Sequence, residues 1–124
     1  MLARLADVIC DTSFLVHVHS VRVRNMGTLD TEIGDISLVV PDVVVGELER
    51  LAPSSAGAAR ALEAARAGRT VGIGRGAIHA DAAIVSHVRR NGGIVATMDR
   101  ALKRAVREAG GSVMSVSRDR IVME

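Results

Sequence analysis

Short apolar runs alternate along the chain with segments whose apolar residues recur at helical spacing. These runs predict five strands, at residues 8–10, 36–40, 70–73, 94–97 and 113–116, of which the third has the weakest pattern. The periodic segments predict five helices, at residues 14–23, 42–51, 56–67, 78–90 and 100–109. Strands that alternate with helices indicate an α/β fold, in which a parallel sheet is covered by helices on both faces.

Three details of this pattern go beyond the simple alternation. The polar segment 26–35 is interpreted as holding a short helix, and residues 121–122 as adding a short edge strand. In the segment after Pro41, the spacing of Val44, Leu48 and Leu51 places them on one helical stripe.

The composition narrows the class of protein. A chain of 124 residues is long enough for one core, so we expect a single domain over residues 1–124. One Phe, with no Trp or Tyr, argues against an aromatic platform for single-stranded nucleic acid. Cys10 is the only cysteine, which excludes an internal disulfide framework and a cysteine-based zinc ribbon. With no apolar run long enough to span a bilayer, we expect a cytoplasmic protein without membrane contact.

The net charge is close to zero, but nearly all the basic residues are arginines. There are 16 Lys and Arg residues against 14 Asp and Glu, and all the cations except Lys103 are arginines. Arginine is well suited to bidentate contact with phosphate, so the bias is compatible with a nucleic-acid partner. Biased codon usage with solvated arginines explains it equally well at this point.

Four carboxylates fall at one edge of the predicted sheet. Asp11 follows the first strand and Asp99 follows the fourth, whereas Glu47 and Asp81 lie in the first turns of helices that begin at the same edge. The carboxyl ends of parallel strands and the amino ends of their helices share that edge, which is where ligands bind in such sheets. The four acids are therefore expected to lie close together.

Each acid taken alone has a simpler explanation. Asp11 and Asp99 could serve only as helix caps, Asp81 could favour a helix dipole, and Glu47 could be solvated. Together they carry more weight, because four converging carboxylates repel one another unless a cation neutralises them. Oxygen ligands suit a hard cation, so this edge predicts a Mg²⁺ or Mn²⁺ site that could polarise a phosphate and activate water.

A basic stripe begins beside this predicted site. The four cations after Asp99 follow the i, i+3, i+4, i+7 spacing of one helical face and are Arg100, Lys103, Arg104 and Arg107. We interpret the stripe as an RNA-backbone contact, with a solvated helix face as the alternative. Arg89 and Arg90 are interpreted as solvent charges, and His79 as a surface or supporting residue.

Over nearly its whole length, the chain resembles the PIN-domain nucleases. The resemblance is carried by VICDTSFL (8–15), VVPDVVVGELERL (39–51), HADAAIVSHV (79–88) and IVATMDRALKRAVREAGGSV (94–113), in that order. Among PIN proteins it looks most like small archaeal proteins related to the eukaryotic rRNA-processing endonuclease of the small-subunit processome. It is similar, less closely, to VapC-type toxins.

The resemblance implies a three-layer α/β/α sandwich with a central parallel sheet of order 3-2-1-4-5 and a divalent-metal-dependent endoribonuclease. The family's catalytic and metal-binding acids carry over to Asp11, Glu47, Asp81 and Asp99. Supporting polar groups carry over to Ser13 and Thr97. Close relatives often have a further acid where this chain has Ala82, and that difference leaves the number of metal ions open.

The expected function is hydrolysis of RNA phosphodiester bonds, in the processing of rRNA or its precursor or in another RNA maturation step. The resemblance also implies a homodimer. Two alternatives remain open at this stage. One is a VapC-like toxin ribonuclease with an antitoxin partner, and the other is a non-catalytic RNA-binding or ribosome-assembly module.

Overall fold

Five parallel strands form the centre of the sheet in the computed structural model, which describes residues 6–21, 23, 30–31, 34–73 and 79–124. These strands are β1 (Ala6–Cys10), β3 (Gly34–Pro41), β4 (Arg69–Val71), β5 (Ile94–Ala96) and β6 (Ser112–Ser117). Their spatial order is β4-β3-β1-β5-β6, which is 3-2-1-4-5 when the parallel strands are counted along the chain. The predicted strand order is confirmed.

Two further strands pair antiparallel with members of this set. The strand β2 (Asp30–Thr31) pairs with the beginning of β3, and β7 (Arg120–Met123) pairs with β6. The short edge strand expected near residues 121–122 is therefore present as β7. The sheet thus extends the 3-2-1-4-5 order by one antiparallel strand beyond β6.

Five α-helices connect the strands in the described parts of the chain. They are α1 (Thr12–Val18), α2 (Asp42–Leu51), α3 (Ala56–Ala67), α4 (Ala80–Asn91) and α5 (Arg100–Glu108), and a 3-10 turn (Ala52–Ser54) follows α2. With the sheet they form the predicted three-layer α/β/α arrangement. In the part of the chain that the structure describes, no helix is long and apolar enough to cross a bilayer.

The burial of the central strands explains why apolar residues occupy both faces of them. Val8, Ile9 and Cys10 are all buried although neighbouring side chains of a strand point to opposite faces. The same holds for the buried run 113–116 of β6. Both faces of the sheet are therefore covered, as expected for parallel strands connected by helices.

The first helix is shorter than the sequence predicts. The apolar pattern indicates a helix to residue 23, whereas α1 ends at Val18. The reason lies in polar side chains that compete for helix carbonyls. The Ser20 hydroxyl donates a hydrogen bond to the Val16 carbonyl (2.6 Å), and His19 Nδ1 contacts the Leu15 carbonyl (2.8 Å).

The short helix expected within residues 26–35 is absent from the described part of that segment. Residues 30–31 belong to β2, and Gly34 already belongs to β3, with which β2 pairs. The rest of that segment lies outside the described residues. Glycine is a weak helix former, and the pairing of Gly34 with Thr31 of β2 places it in a strand.

The sheet register sets the positions of the site residues. In β1 and β5, Cys10 and Ala96 are direct neighbours, so the residues that follow them leave the sheet side by side. The Asp11 amide still donates to the Ala96 carbonyl (3.0 Å), and the Thr97 amide donates to the Met114 carbonyl (3.0 Å). Asp11 and Thr97 are thereby fixed at the carboxyl edge of the sheet.

Candidate active site

The four predicted acids line one cleft at the carboxyl edge of the sheet. The cleft has a volume of about 670 Å³ and is bordered by Asp11, Glu47, Asp81 and Asp99. They come from four different places in the sequence, namely the end of β1, the middle of α2, the first turn of α4 and the N-cap of α5. The geometry thus brings together the acids that the sequence pattern placed at one edge.

Asp11 is the most enclosed of the four carboxylates. Its residue is only 3% exposed, and it caps α1 by accepting a hydrogen bond from the Phe14 amide at Oδ1 (2.8 Å). The Ser13 hydroxyl donates to the same carboxylate (2.9 Å), and the Thr97 hydroxyl donates to Oδ2 (2.5 Å). Three donors occupy three of the roughly four lone-pair positions of a carboxylate, which leaves about one for another ligand.

Backbone amides fix the direction of the two hydroxyl bonds. The Met98 amide donates to Ser13 Oγ (3.0 Å), and the Asp99 amide donates to Thr97 Oγ1 (3.0 Å). Because each hydroxyl oxygen already accepts from an amide, its own proton is free to point at Asp11. The two hydroxyls are therefore oriented as donors to Asp11, the supporting position that the resemblance implies for them.

Burial raises the pKa of Asp11 above its ordinary value, because the charged form loses water. The hydrogen bonds from Thr97, the Phe14 amide and Ser13 oppose that rise, and the negative charge of Asp81 adds to it. Desolvation and the hydrogen-bond donors thus act in opposite directions on the pKa of Asp11. A nearby cation would lower its pKa.

Glu47 reaches the cleft from α2 and is held by two donors from other elements. The Thr12 hydroxyl donates to Glu47 Oε2 (2.7 Å), and the Ala80 amide at the start of α4 donates to Oε1 (3.3 Å). The role of Thr12 was missed by the sequence analysis. Its position directly after Asp11 was a signal, but nothing in the sequence indicated which acid its hydroxyl would contact.

Asp81 is the least restrained acid of the four. It is exposed in the first turn of α4 and accepts no hydrogen bond from any described residue. Partial burial raises the pKa of Asp81, and the negative charges of Asp99 and Glu47 raise it further, whereas His79 lowers it. The mutual repulsion expected of converging carboxylates is thus present in the cleft.

Asp99 both caps a helix and lines the cleft. Its Oδ1 accepts a hydrogen bond from the Leu102 amide (3.1 Å) and so caps α5. The residue is nevertheless exposed and lines the cleft. For Asp11 and Asp99, the capping role that was considered as an alternative is therefore real and coexists with a place in the cleft.

The donors present fit a hard divalent cation better than a soft one. The four acids supply only carboxylate oxygens, the ligand type of Mg²⁺ and Mn²⁺. Among the described residues, no three acidic, histidine or cysteine side chains are close enough to ligate one ion together. A cation here would contact one or two carboxylates directly and the others through water, which is the usual coordination of Mg²⁺.

One wall of the cleft is apolar. Val44 and Leu48 of the predicted α2 stripe are both fully buried. Leu51, the third member, is instead 42% exposed and lines the cleft together with Val16 of α1. Leu51 is the last residue of α2, so the stripe reaches the cleft where the helix ends.

The basic stripe lies on α5, with three of its four members exposed. Arg100, Arg104 and Arg107 are exposed to solvent. Lys103 differs, because its Nζ forms an ion pair with Glu124 Oε2 (2.7 Å) and its side chain is only 16% exposed. The arginines are therefore better placed than Lys103 for contact with an anionic partner.

A second interaction fixes this ion pair. The Ser115 hydroxyl donates to the same oxygen of Glu124 (2.6 Å), and the Glu124 amide donates to the Val113 carbonyl (2.9 Å). The hydrogen bonds from Lys103 and Ser115 lower the pKa of Glu124. The positive charge of Lys103 is thus paired within the protein.

Comparison with known proteins agrees with this geometry. The model of the family described as "PIN like domain" matches residues 8–120. Among solved structures, the chain is similar to the PIN domain endonuclease Utp24, with a TM-score of 0.78 and 27% sequence identity. That match covers 95% of this chain and 90% of the other. A search of curated protein sequences finds no significant match.

The family prediction from the sequence is thereby confirmed, and the matches support a nuclease function. The matched region contains all four cleft acids and reaches β7. The chain belongs to the PIN-like domain family.

Proposed function

We propose that the protein is a divalent-metal-dependent endoribonuclease that acts in the processing of rRNA or of another precursor RNA. The observation that carries the proposal is the convergence of four carboxylates in one cleft of a PIN-like chain. The likeness to a PIN domain endonuclease supports the same reaction class.

The residues of the cleft divide the chemical work. Asp11 and Asp81 would hold Mg²⁺ or Mn²⁺, Asp11 through its remaining lone pair and Asp81 through its unrestrained carboxylate. When bound, such an ion supplies Lewis-acid stabilisation of the phosphate charge and a lowered pKa for water. Glu47, oriented by Thr12 and the Ala80 amide, would accept a hydrogen bond from the attacking water.

Other parts of the surface would hold the substrate. The arginines of the α5 stripe begin beside Asp99, so they would bind backbone phosphates near the cleft. With no aromatic side chain except Phe14, which is fully buried, base stacking contributes little to binding. We further propose a homodimer in the cytoplasm, on the grounds of the family resemblance and the composition.

A cleavage assay with matched variants tests the proposal. Purified protein is incubated with end-labelled structured and single-stranded RNA in Mn²⁺, in Mg²⁺ or in EDTA. We expect cleavage with either metal and none in EDTA. Asp11→Asn and Asp81→Asn should each reduce the rate by at least about 100-fold, a loss typical of removing a group that positions transition-state charge. Glu63→Gln, an exposed change on α3 outside the cleft, should have no effect.

The outcomes separate the alternatives. If the folded wild-type protein cuts none of these RNAs in Mn²⁺ but still binds them, it is a non-catalytic RNA-binding module and the enzymatic proposal is wrong. Cleavage confined to a single sequence and blocked by a co-purifying small protein would identify a toxin. Circular dichroism of each variant shows whether a lost activity reflects a lost fold.

A further inference from the structure

A shallow groove of about 460 Å³ opens from the acidic cleft and runs between α4 and α5. It shares Asp81 and Ala82 with the cleft, so the two depressions adjoin at the start of α4. On the α5 side its wall is formed by Ala101 and Ala105. The groove therefore leads directly away from the proposed site of cleavage.

The face that α4 presents to this groove changes in charge along its length. Ala82, Ser86 and Arg89 follow the i, i+4, i+7 spacing of one helical face, and all three line the groove. Arg89 lies eight positions after Asp81, which corresponds to about 12 Å along the helix axis. The groove thus begins at a carboxylate of the cleft and has a guanidinium near its other end.

Arg89 is available for an external partner, in contrast to its neighbour. It is exposed and forms no hydrogen bond or ion pair with any of the described residues. The Nε of Arg90 donates instead to the Ser86 carbonyl (3.4 Å). Small or aliphatic side chains line the space between the cleft and Arg89, and among the described residues Asp81 is the only acid that lines the groove.

We propose that this groove holds the RNA strand next to the scissile phosphate and that Arg89 binds a backbone phosphate of that strand. The inference rests on the proposed ribonuclease function and adds a substrate contact to it. The distance of about 12 Å corresponds to three or four nucleotides at the ~3.4 Å rise of a stacked strand, and to fewer in an extended one. The strand would therefore pass from the cleft along α4.

The groove and the basic stripe would contact different parts of the substrate. Ala101 and Ala105 face the groove, whereas Arg100 and Arg104 each precede one of them by one position, and adjacent residues of a helix do not share a face. Apart from Ser86, the described side chains that line the groove between Asp81 and Arg89 offer no hydrogen-bond donor to the bases. Binding through Arg89 is accordingly expected to be independent of sequence.

The test compares Arg89→Gln with Arg90→Gln, two neighbouring exposed arginines of the same helix. Fluorescence anisotropy measures the binding of a labelled ten-nucleotide oligo(U) and a labelled ten-nucleotide oligo(A) in EDTA, where metal-dependent cleavage cannot occur. Titrations at several salt concentrations give the slope of log K against log salt. Loss of one phosphate contact to a single strand should reduce that slope by about 0.7.

For Arg89→Gln we expect the Kd to rise by about threefold to tenfold for both sequences, with the reduced salt slope of a lost phosphate contact. Arg90→Gln should match the wild-type protein in both measurements. Equal behaviour of the two variants would overturn the proposal, as would a loss confined to one sequence. Retained RNA affinity in Arg89→Gln, with lost binding of an acidic peptide, would assign the groove to a protein partner instead.

Failure of the inference can be distinguished from failure of the proposed function. If the wild-type protein binds and cuts RNA but Arg89→Gln binds as tightly as Arg90→Gln, only the groove assignment is wrong. If the wild-type protein binds RNA without cutting it in Mn²⁺, the groove assignment can still stand while the ribonuclease proposal falls. If the wild-type protein binds no RNA at all, both are wrong.

Discussion

Replacing Thr97 with Val tests the network that holds Asp11. Thr97 is fully buried, donates a hydrogen bond to Asp11 Oδ2 (2.5 Å) and accepts one from the Asp99 amide (3.0 Å). Valine has almost the same shape but lacks the hydroxyl. The substitution therefore removes a donor and an acceptor without opening a cavity.

The expected cost follows from those two contacts. A hydrogen bond to a charged group contributes about 1.5–3 kcal/mol, and a buried amide left without its acceptor costs about 1–3 kcal/mol. Because the Asp99 amide lies close to the open cleft and can bind water, we take the lower part of the second range. The free energy of unfolding should fall by about 3 kcal/mol, which for a chain of this size lowers Tm by roughly 10 °C.

The same change should shift the pH dependence of activity. Burial raises the pKa of Asp11, and the Thr97 hydroxyl is the strongest of the groups that oppose that rise. Without it the pKa of Asp11 increases further, so the carboxylate is protonated at a higher pH. Since the charged form is the one that can bind a cation, the acidic limb of the pH–rate profile should move to higher pH.

Thr97→Ser provides the matched control, because it keeps the hydroxyl and loses only a methyl group. Urea denaturation gives the unfolding free energy, and kcat/KM between pH 5 and pH 8 gives the acidic limb. We expect Thr97→Ser to retain the wild-type position of that limb. A cost below about 0.5 kcal/mol for Thr97→Val, together with an unshifted limb, would refute the role assigned to the network.

Three further predictions concern other parts of the molecule. Gly111→Ala should destabilise the protein by about 1–3 kcal/mol in urea denaturation, since the added Cβ would lie within 3 Å of side chains from α4 and α5; Gly46→Ala, which meets nothing closer than 3.7 Å, should not. Thr12→Val should lower kcat about tenfold with little change in KM, because Glu47 loses a donor, and Thr12→Ser should restore it. Asp81→Asn should raise the Tm of the metal-free protein at pH 7 and abolish its increase on adding Mn²⁺.

The sign of the last effect depends on linkage. The pKa of Asp81 in the folded state lies above its ordinary value, so the charged carboxylate opposes folding at neutral pH. That penalty is relieved as the pH falls through the raised pKa towards the ordinary one. The advantage of Asp81→Asn over the wild-type protein should therefore disappear in acid. An equal advantage at pH 7 and pH 3.5 would contradict the assigned repulsion.

The strand order and the position of the acids could be predicted because each depends on a strong regular signal. Apolar runs such as 8–10 mark strands buried on both faces, and the alternation with helices restricts the topology. Once strands are parallel, residues that follow them must meet at one edge, whatever their separation in sequence. Asp11 and Asp99 were placed by this rule.

What could not be predicted depends on single side chains and their partners. The end of α1 is set by Ser20 and His19 binding helix carbonyls, a competition that apolar periodicity does not register. Likewise, the stripe spacing of α5 treated Lys103 as equivalent to its arginine neighbours. Lys103 pairs with Glu124, which directly follows β7. Helical spacing within α5 carries no information about this tertiary contact.

A crystal soaked in Mn²⁺ shows whether the cleft binds a divalent cation through its carboxylates. Anomalous scattering at the manganese edge locates the ion independently of any assumption about the site. We expect a peak in the cleft within direct ligand distance, about 2.0–2.3 Å, of Asp11 or Asp81, with water linking it to Glu47 or Asp99. A well-ordered cleft with no peak at saturating Mn²⁺, or manganese bound only elsewhere on the surface, would contradict it.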